Sequence, residues 1–143
     1  MHSFPLANIF AHAGHETTSG TLSFLFYELL SNPQAYRKAQ QEVDTVIGKE
    51  AINVGHMSKL PYIEACLRET LRLHSPAPII SVHAVGKQVL DGRYEVVDGH
   101  HVNISLHNLH RDPAVYGADA ESFRPERMEG EAFEALPPNS WKV

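Results

Sequence analysis

Apolar residues at helical spacing dominate the first half of the chain. They predict one long helix over residues 7–31 and a second helix over 33–47. Pro33 suits the first turn of that second helix, with Ser31 or Asn32 as its cap. The chain therefore begins with two helices joined by a short break.

A third helix is predicted over residues 60–74. Pro61 fits its first turn, and Pro76 and Pro78 follow its end. Its apolar stripe consists of Ile63, Leu67 and Leu71. The loop between the second and third helices runs through Gly55.

Strand and turn signals replace helical spacing after Pro78. Short apolar strands are expected at 79–82, 88–90, 94–97 and 102–106. Asp91-Gly92 and Asp98-Gly99 are typical of hairpin turns, so the region 79–106 predicts a small antiparallel sheet. Residues 107–143 predict short helices and coil, and the fold class is mainly α with a small antiparallel β region (α+β).

Length and composition indicate one globular domain over residues 1–143. Apolar residues make up 43% and charged residues 20%, close to the average of soluble domains. The net charge is −5 and the 12 Lys and Arg residues are scattered, which argues against nucleic acid as a partner.

No segment of the sequence predicts a membrane span. The longest apolar run, over 21–30, is short and interrupted by Ser23 and Glu28. Cys66 is the single cysteine, which excludes an internal disulfide and favours a reducing, cytoplasmic compartment.

An unusual run of residues, Ala13-Gly14-His15-Glu16-Thr17-Thr18, lies inside the first helix. Glycine and adjacent threonines are poor helix formers, so a requirement other than helix stability favours them here. A small residue admits a flat ligand, a threonine hydroxyl can bond back to the carbonyl one turn earlier, and Glu16 could supply protons. The alternative is a buried helix with a packing glycine.

Two charged residues stand on one face of the third helix. Glu69 and Arg72 are three residues apart, close enough for a charge-assisted hydrogen bond. Such pairs usually belong to a solvated helix face. Arg127, in a proline-fixed coil, is the candidate third partner that would make a buried cluster.

Taken together, these residues resemble the cytochrome P450 superfamily. The matching motifs are A-G-H-E-T-T-S-G at 13–20, E-x-x-R at 69–72, H-R-D-P at 110–113 and F-R-P-E-R at 123–127. The residues between the motifs look most like the self-sufficient fatty-acid hydroxylases, in which a haem domain and a flavin reductase share one chain.

The resemblance implies a role for each matching position. Ala13, Gly14 and Thr17 would form the distal groove for haem and O2, with Thr17 and Glu16 as the catalytic pair. Glu69, Arg72 and Arg127 would be the structural triad. The substrate pocket would be edged by Ala77, Pro78, Ile79 and Ile80.

The same resemblance implies haem as cofactor, with electrons from NADPH through a flavoprotein reductase, fused or separate. The expected substrate is small and hydrophobic. The haem ligand of this family is a cysteine thiolate in a glycine-rich loop shortly after the coil, and this sequence ends at Val143 before such a loop. We therefore expect a fragment of a monooxygenase that is inactive by itself. The alternative is a non-catalytic truncated product that does not bind haem.

Ten histidines raise a further alternative, a metallohydrolase. His15-Glu16 begins like a zinc-protease motif, but Ser19 stands where the second histidine would be. His12 and His15, like His107 and His110, are three residues apart with no evident third ligand. The sequence therefore predicts no metal site formed by side chains of this chain.

Overall fold

The computed structural model of the chain describes residues 6–138, 140 and 141. The α-helices in this part of the chain span Leu6–Ser31 (α1), Pro33–Val46 (α2), Val54–Met57 (α3), Pro61–Leu73 (α4), Leu106–Leu109 (α5), Pro113–Tyr116 (α6) and Gly130–Glu134 (α7). A 3-10 helix spans Pro125–Met128. The strands are Ile79–His83 (β1), Gln88–Leu90 (β2), Tyr94–Val96 (β3) and His101–Ser105 (β4). The predicted α+β class is confirmed.

A first core forms where α1, α2 and α4 pack together. Its buried members are Leu25, Leu29, Ala35, Ala39, Tyr62 and Cys66. The two alanines of α2 have small side chains, which lets the helix lie close to its neighbours. Ile63 and Leu67, two residues of the predicted α4 stripe, pack against this cluster.

A second core lies on the other side of α4, against the coil that follows α6. It is built from Ala65, Tyr116, Ala120, Met128 and Phe133. Helix α4 therefore has buried side chains on two faces, one toward the helices and one toward the coil. This position explains why charged residues of α4 can be buried.

Asn32 occupies the cap position of α2, but its side chain does not cap that helix. Its amide nitrogen donates instead to the Glu28 carbonyl at 2.8 Å and to the Glu28 carboxylate at 3.1 Å. Asn32 is thus the N-cap residue by position, as expected, but its side chain bonds backwards to the end of α1 and not to the first amides of α2.

The β region forms two sheets where one was expected. Strand β1 pairs antiparallel with β4, and β2 pairs antiparallel with β3. The β2–β3 hairpin turns at Asp91 and Gly92, both with positive φ (50° and 64°). Asp98 and Gly99 form a turn, in which His100 N donates to the Val97 carbonyl at 3.0 Å. They do not form a hairpin, because β3 pairs with β2 and β4 pairs with β1.

Helix α3 was not expected from the sequence, which predicted a loop through Gly55. Asn53 begins the helix by accepting a hydrogen bond from Gly55 N at 2.9 Å. Helix α5 also begins earlier than expected, at Leu106, because Ser105 caps it and ends β4. Among the described residues, none of the helices is long and apolar enough to cross a membrane.

Candidate functional site

A buried carboxylate on α4 is held by two arginines. Glu69 accepts two hydrogen bonds from Arg72, from Nε and Nη2, each at 2.8 Å. Arg127, from the 3-10 helix, donates through Nε to the same carboxylate at 3.0 Å. Glu69 and Arg72 are 0% and 1% exposed, and Arg127 is 6% exposed. We call these three residues the clamp.

The remaining donors of the clamp hold the coil in place. Arg72 Nη1 donates to the carbonyls of His110 and Ala120, both at 2.6 Å. Arg127 Nη1 donates to the Tyr116 carbonyl at 2.7 Å, and Nη2 donates to the Asp119 carbonyl at 3.0 Å. The backbone carbonyls of a coil lack the partners that a helix or a sheet would provide. The arginines of the clamp supply donors for some of these carbonyls.

The sequence-based alternative for Glu69 and Arg72, a solvated helix face, does not describe them. A solvated pair does exist one turn earlier, where Arg68 is bonded to Glu64, whose side chain is 60% exposed. The two pairs share a helix but differ in burial, because Glu64 lies at the surface whereas Glu69 is enclosed between α4 and the coil.

A second polar cluster joins α2 to the 3-10 helix, and the sequence did not indicate it. Lys38 Nζ lies 3.3 Å from Glu126 and 3.2 Å from Glu129, and 3.9 Å from the centre of the Tyr62 ring. The Tyr62 hydroxyl donates to Glu126 at 3.1 Å. Burial raises the pKa of Tyr62, and the charge of Glu126 raises it further.

Cys66 lies in the first core and is 0% exposed. Burial raises the pKa of its thiol to about 12, with a further contribution from the charge of Glu126. A thiol with such a pKa stays protonated at neutral pH, so it is neither a nucleophile nor a ready metal ligand. Cys66 is a core residue.

The unusual run in α1, residues 13–18, is exposed along its whole length. The Thr17 hydroxyl donates to the Ala13 carbonyl at 2.6 Å, as the sequence suggested. A Cβ added to Gly14 would meet no atom within 4 Å. Packing among the described residues therefore does not require a glycine at this position.

An apolar groove separates α1 from α4. It has a volume of about 450 Å³ and is lined by Thr17, Thr18, Thr21, Leu22, Leu67, Leu71 and Pro76. Threonine methyl groups and leucines make its walls apolar, and threonine hydroxyls supply polar atoms along α1. The structure thus brings two threonines of the unusual run against the predicted stripe of α4.

The predicted substrate segment follows Pro76, which lines the groove. Ala77, Pro78 and Ile79 are exposed and Ile80 is partly buried. The Pro78 carbonyl accepts a hydrogen bond from Leu106 N at 2.8 Å, so the segment leads directly into the β1–β4 pair. An exposed, hydrogen-bonded edge beside an apolar groove can contact a ligand there.

His74, directly after α4, connects that helix to α1, and sequence reasoning missed it. Its Nε2 lies 2.7 Å from Glu28 Oε1, and Glu28 is 9% exposed. The His74 ring stacks on Phe24 at 4.3 Å between ring centres. No sequence signal joins residues 28 and 74, since the contact depends on how two helices cross.

No group of three or more His, Cys, Asp or Glu residues within the described ranges could hold a metal ion. The metallohydrolase alternative therefore has no ligand set in this part of the chain. His110, one of its candidates, is buried, and its backbone carbonyl accepts a bond from Arg72.

Comparison with known proteins identifies the family of these motifs. The model of the family described as "Cytochrome P450" matches residues 6–140. A protein of Gibberella moniliformis named bifunctional cytochrome P450/NADPH--P450 reductase is 52% identical over 133 residues, which cover 93% of this chain and 12% of that protein.

Two other fungal relatives agree with this result. A self-sufficient cytochrome P450 monooxygenase of Exserohilum turcicum is 55% identical over 133 residues, 93% of this chain and 12% of the relative. A bifunctional cytochrome P450/NADPH--P450 reductase of Fusarium oxysporum is 52% identical over 136 residues, 93% of this chain and 13% of the relative. The chain thus spans about an eighth of the length of these relatives.

Proposed function

Since the chain belongs to the cytochrome P450 family, we propose that it is a segment of a haem-thiolate monooxygenase. The proposed reaction inserts one oxygen atom of O2 into an organic substrate. Haem, when bound, supplies the iron at which O2 is activated. The residues of this chain supply one wall of the site and the groups that handle protons.

The groove between α1 and α4 is the observation on which the proposal rests. A porphyrin is a flat apolar macrocycle, and the groove offers Leu67 and Leu71 on one wall and Thr17 on the other. The exposed backbone at Gly14, with open space where a Cβ would lie, would let a flat ligand approach α1 closely. We infer that Ala13, Gly14 and Thr17 contact haem.

Thr17 and Glu16 are proposed to handle the protons that O2 activation consumes. The Thr17 hydroxyl donates its proton to the Ala13 carbonyl, and its oxygen can accept a hydrogen bond at the same time. This arrangement orients the oxygen for a proton arriving from solvent. Glu16 is exposed at the preceding position of α1 and can exchange protons with water.

The thiolate that ligates haem iron in this family is not Cys66. Its burial and its raised pKa keep the thiol protonated, and it packs among Leu25 and Leu29 in the first core. We therefore propose that the residues lining the α1–α4 groove would contact haem and that Cys66 would not bind its iron.

We propose that Ala77, Pro78, Ile79 and Ile80 contact a small hydrophobic substrate, with a fatty acid as the first candidate. Exposed Ile79 and the position of the segment after Pro76 support this role. Electrons would come from NADPH through a flavoprotein reductase. The fused reductases in the names of the Gibberella and Fusarium relatives support this electron source.

A segment exchange tests the proposal. Residues 6–141 would replace the aligned segment of the Fusarium oxysporum relative, which is 52% identical. We expect the chimera to bind haem, to give the Soret band of a thiolate-ligated carbon monoxide complex, and to oxidise a fatty acid with NADPH. Haem binding without any NADPH-dependent oxidation of the substrates of that relative would contradict the proposed activity.

Two variants of the chimera separate the proposed roles. Thr17→Ala should leave the carbon monoxide band intact while more NADPH is consumed per product formed, since the hydroxyl acts only on protons. Ser19→Ala, a change two positions further along α1, is the matched control and should keep the original ratio. An equal effect of both changes would contradict the role of Thr17.

A further inference from the structure

Two histidines face each other across the β1–β4 pair. His83 of β1 is directly opposite His101 of β4 in the antiparallel register. Their ring centres are 4.0 Å apart, and the ring planes meet at 54°. Both residues are exposed. The rings are therefore close to each other and open to solvent.

The backbone explains why the rings are so close. The neighbouring pair, Ala84 and His100, is joined by a ladder hydrogen bond from Ala84 N to the His100 carbonyl at 2.8 Å. Hydrogen-bonded and non-hydrogen-bonded pairs alternate along an antiparallel ladder, which makes His83 and His101 a non-hydrogen-bonded pair. In such pairs the α-carbons are nearer and the side chains closer. The strands thus hold the two imidazoles together before any ligand arrives.

Among the residues that the structure describes, no side chain or backbone group competes for the ring nitrogens of His83 and His101. Within the described part of the chain, the side chains of His83 and His101 make no hydrogen bond and no ion pair, and they interact only with each other. The next pair on the same face of the sheet, Ser81 and Asn103, is polar and uncharged. Nothing in this pair blocks a cation from approaching the two rings.

We propose that His83 and His101 form a two-histidine site for a divalent first-row transition metal, Zn²⁺ or Cu²⁺. Imidazole nitrogens suit these ions, whereas Mg²⁺ and Ca²⁺ prefer oxygen ligands. Water would fill the remaining coordination positions. The site is a pair and not a group of three protein ligands, and it does not depend on the proposed haem function.

A bound ion would connect two strands at the end opposite to the proposed substrate segment. Strand β1 begins at Ile79, next to the groove, and His83 is at its other end. Because the ion would bind the paired strands and not the separated ones, it would stabilise the β1–β4 pair. The metal would therefore cross-link β1 and β4.

The first test is a titration of the purified 143-residue chain with Cu²⁺, followed by electron paramagnetic resonance and calorimetry. We expect one equivalent of Cu²⁺ to bind tightly, with two nitrogen atoms as its protein ligands. His83→Asn and His101→Asn should each weaken that equivalent by at least about tenfold, the cost typical of losing even a supporting group at a metal site. The double variant should be no weaker than either single variant, because one imidazole cannot chelate alone.

Matched controls make the result specific, since the chain has ten histidines. His15→Asn on α1 and His107→Asn on α5 replace exposed histidines outside the sheet and should leave the tight equivalent unchanged. Mg²⁺ should not compete. Equal affinity in the original chain and in His83→Asn, or an equal loss in the two controls, would overturn the proposal.

A second measurement distinguishes a folded site from binding to an unfolded chain. Zn²⁺ should raise the midpoint of thermal unfolding of the original chain in a concentration-dependent way, because the ion binds the paired strands. The rise should be absent in His83→Asn and present in His107→Asn. A midpoint that falls, or that rises equally in all variants, would refute the two-histidine site.

Discussion

The clamp on α4 and the unusual run on α1 differ in the burial and in the hydrogen-bond partners of their polar groups. In the clamp, Glu69 and two arginines are buried, and the arginine donors reach Glu69 or backbone carbonyls of the coil. In α1, Thr17 is exposed, and its hydroxyl donates to a carbonyl of its own helix. Both regions contain motifs of the family, but only the clamp connects distant parts of the chain.

The difference separates a stabilising role from a role toward a ligand. A buried charge cluster is costly unless each group has its partners, so removing one partner destabilises the fold. An exposed hydroxyl bonded to its own helix contributes little to the free energy of unfolding. The structure therefore predicts large stability effects in the clamp and small ones in the run of α1.

The largest effect is expected from Glu69→Gln. It removes the negative charge between two buried arginines and should lower the free energy of unfolding by about 3–5 kcal/mol, measured by urea unfolding. The control is Glu64→Gln in the exposed pair with Arg68, which should cost less than about 1 kcal/mol. Equal losses would show that burial does not distinguish the two pairs.

A smaller effect is expected at the start of α4. Both carboxylate oxygens of Glu42 accept backbone bonds, from Tyr62 N and Ile63 N, each at 2.9 Å. Glu42→Ala should lower the free energy of unfolding by about 1–2 kcal/mol, as the loss of a helix cap does. Gln40→Ala, an exposed change on the same helix, should be neutral. A neutral Glu42→Ala would mean that water caps α4 equally well.

The clamp also predicts a pH dependence through His110. Burial lowers the pKa of its side chain below the ordinary 6.5, and the charges of Arg72 and Arg111 lower it further. Neither ring nitrogen makes a hydrogen bond of normal geometry to the described residues. As the pH falls below about 6.5, the unfolded chain gains a proton that the folded chain does not, so stability should fall by at most about 1.4 kcal/mol per pH unit.

His110→Phe should flatten this part of the stability profile between pH 7 and pH 5, because Phe binds no proton. Urea unfolding at several pH values would measure the slope. The matched control is His107→Phe, an exposed position on α5 that keeps His110 in place. A slope that persists in His110→Phe would assign the acid sensitivity to other groups.

The smallest effect is expected from Thr17→Ala. It removes the bond to the Ala13 carbonyl but introduces a better helix former, so the free energy of unfolding should change by no more than about 0.5 kcal/mol. Circular dichroism during urea unfolding would measure it. A loss as large as that of Glu69→Gln would remove the distinction between the two regions.

Some contacts of the clamp were accessible from the sequence, and others were not. The three-residue spacing of Glu69 and Arg72 and the prolines around Arg127 indicated the three side chains. Their carbonyl partners are at 110, 116, 119, 120 and 122, where nothing in the side chains indicates a bond. Backbone carbonyls have no sequence signature, so only the folded coil identifies them.

In the α1 region, a local contact was predictable from the sequence and the long-range contacts were not. The back-bond of Thr17 was expected because it is local, spanning one helical turn. The groove was not expected, since it requires the stripe of α4 to lie opposite Thr17 and Thr18. The pair of Glu28 with His74 and the cluster of Lys38 with Glu126 were missed for the same reason. The catalytic roles of Thr17 and Glu16 stay predictions.

The sequence by itself determined the α+β class, the order of the main helices and strands, and the family, because these depend on spacing and on motifs within short stretches. The tertiary structure alone decided the division into two sheets, the burial of Glu69, and the closeness of His83 to His101. Each of those depends on the packing of segments distant in the chain. Local preferences determine whether a segment forms a helix or a strand. Its burial and its pairing depend on which other segments pack against it.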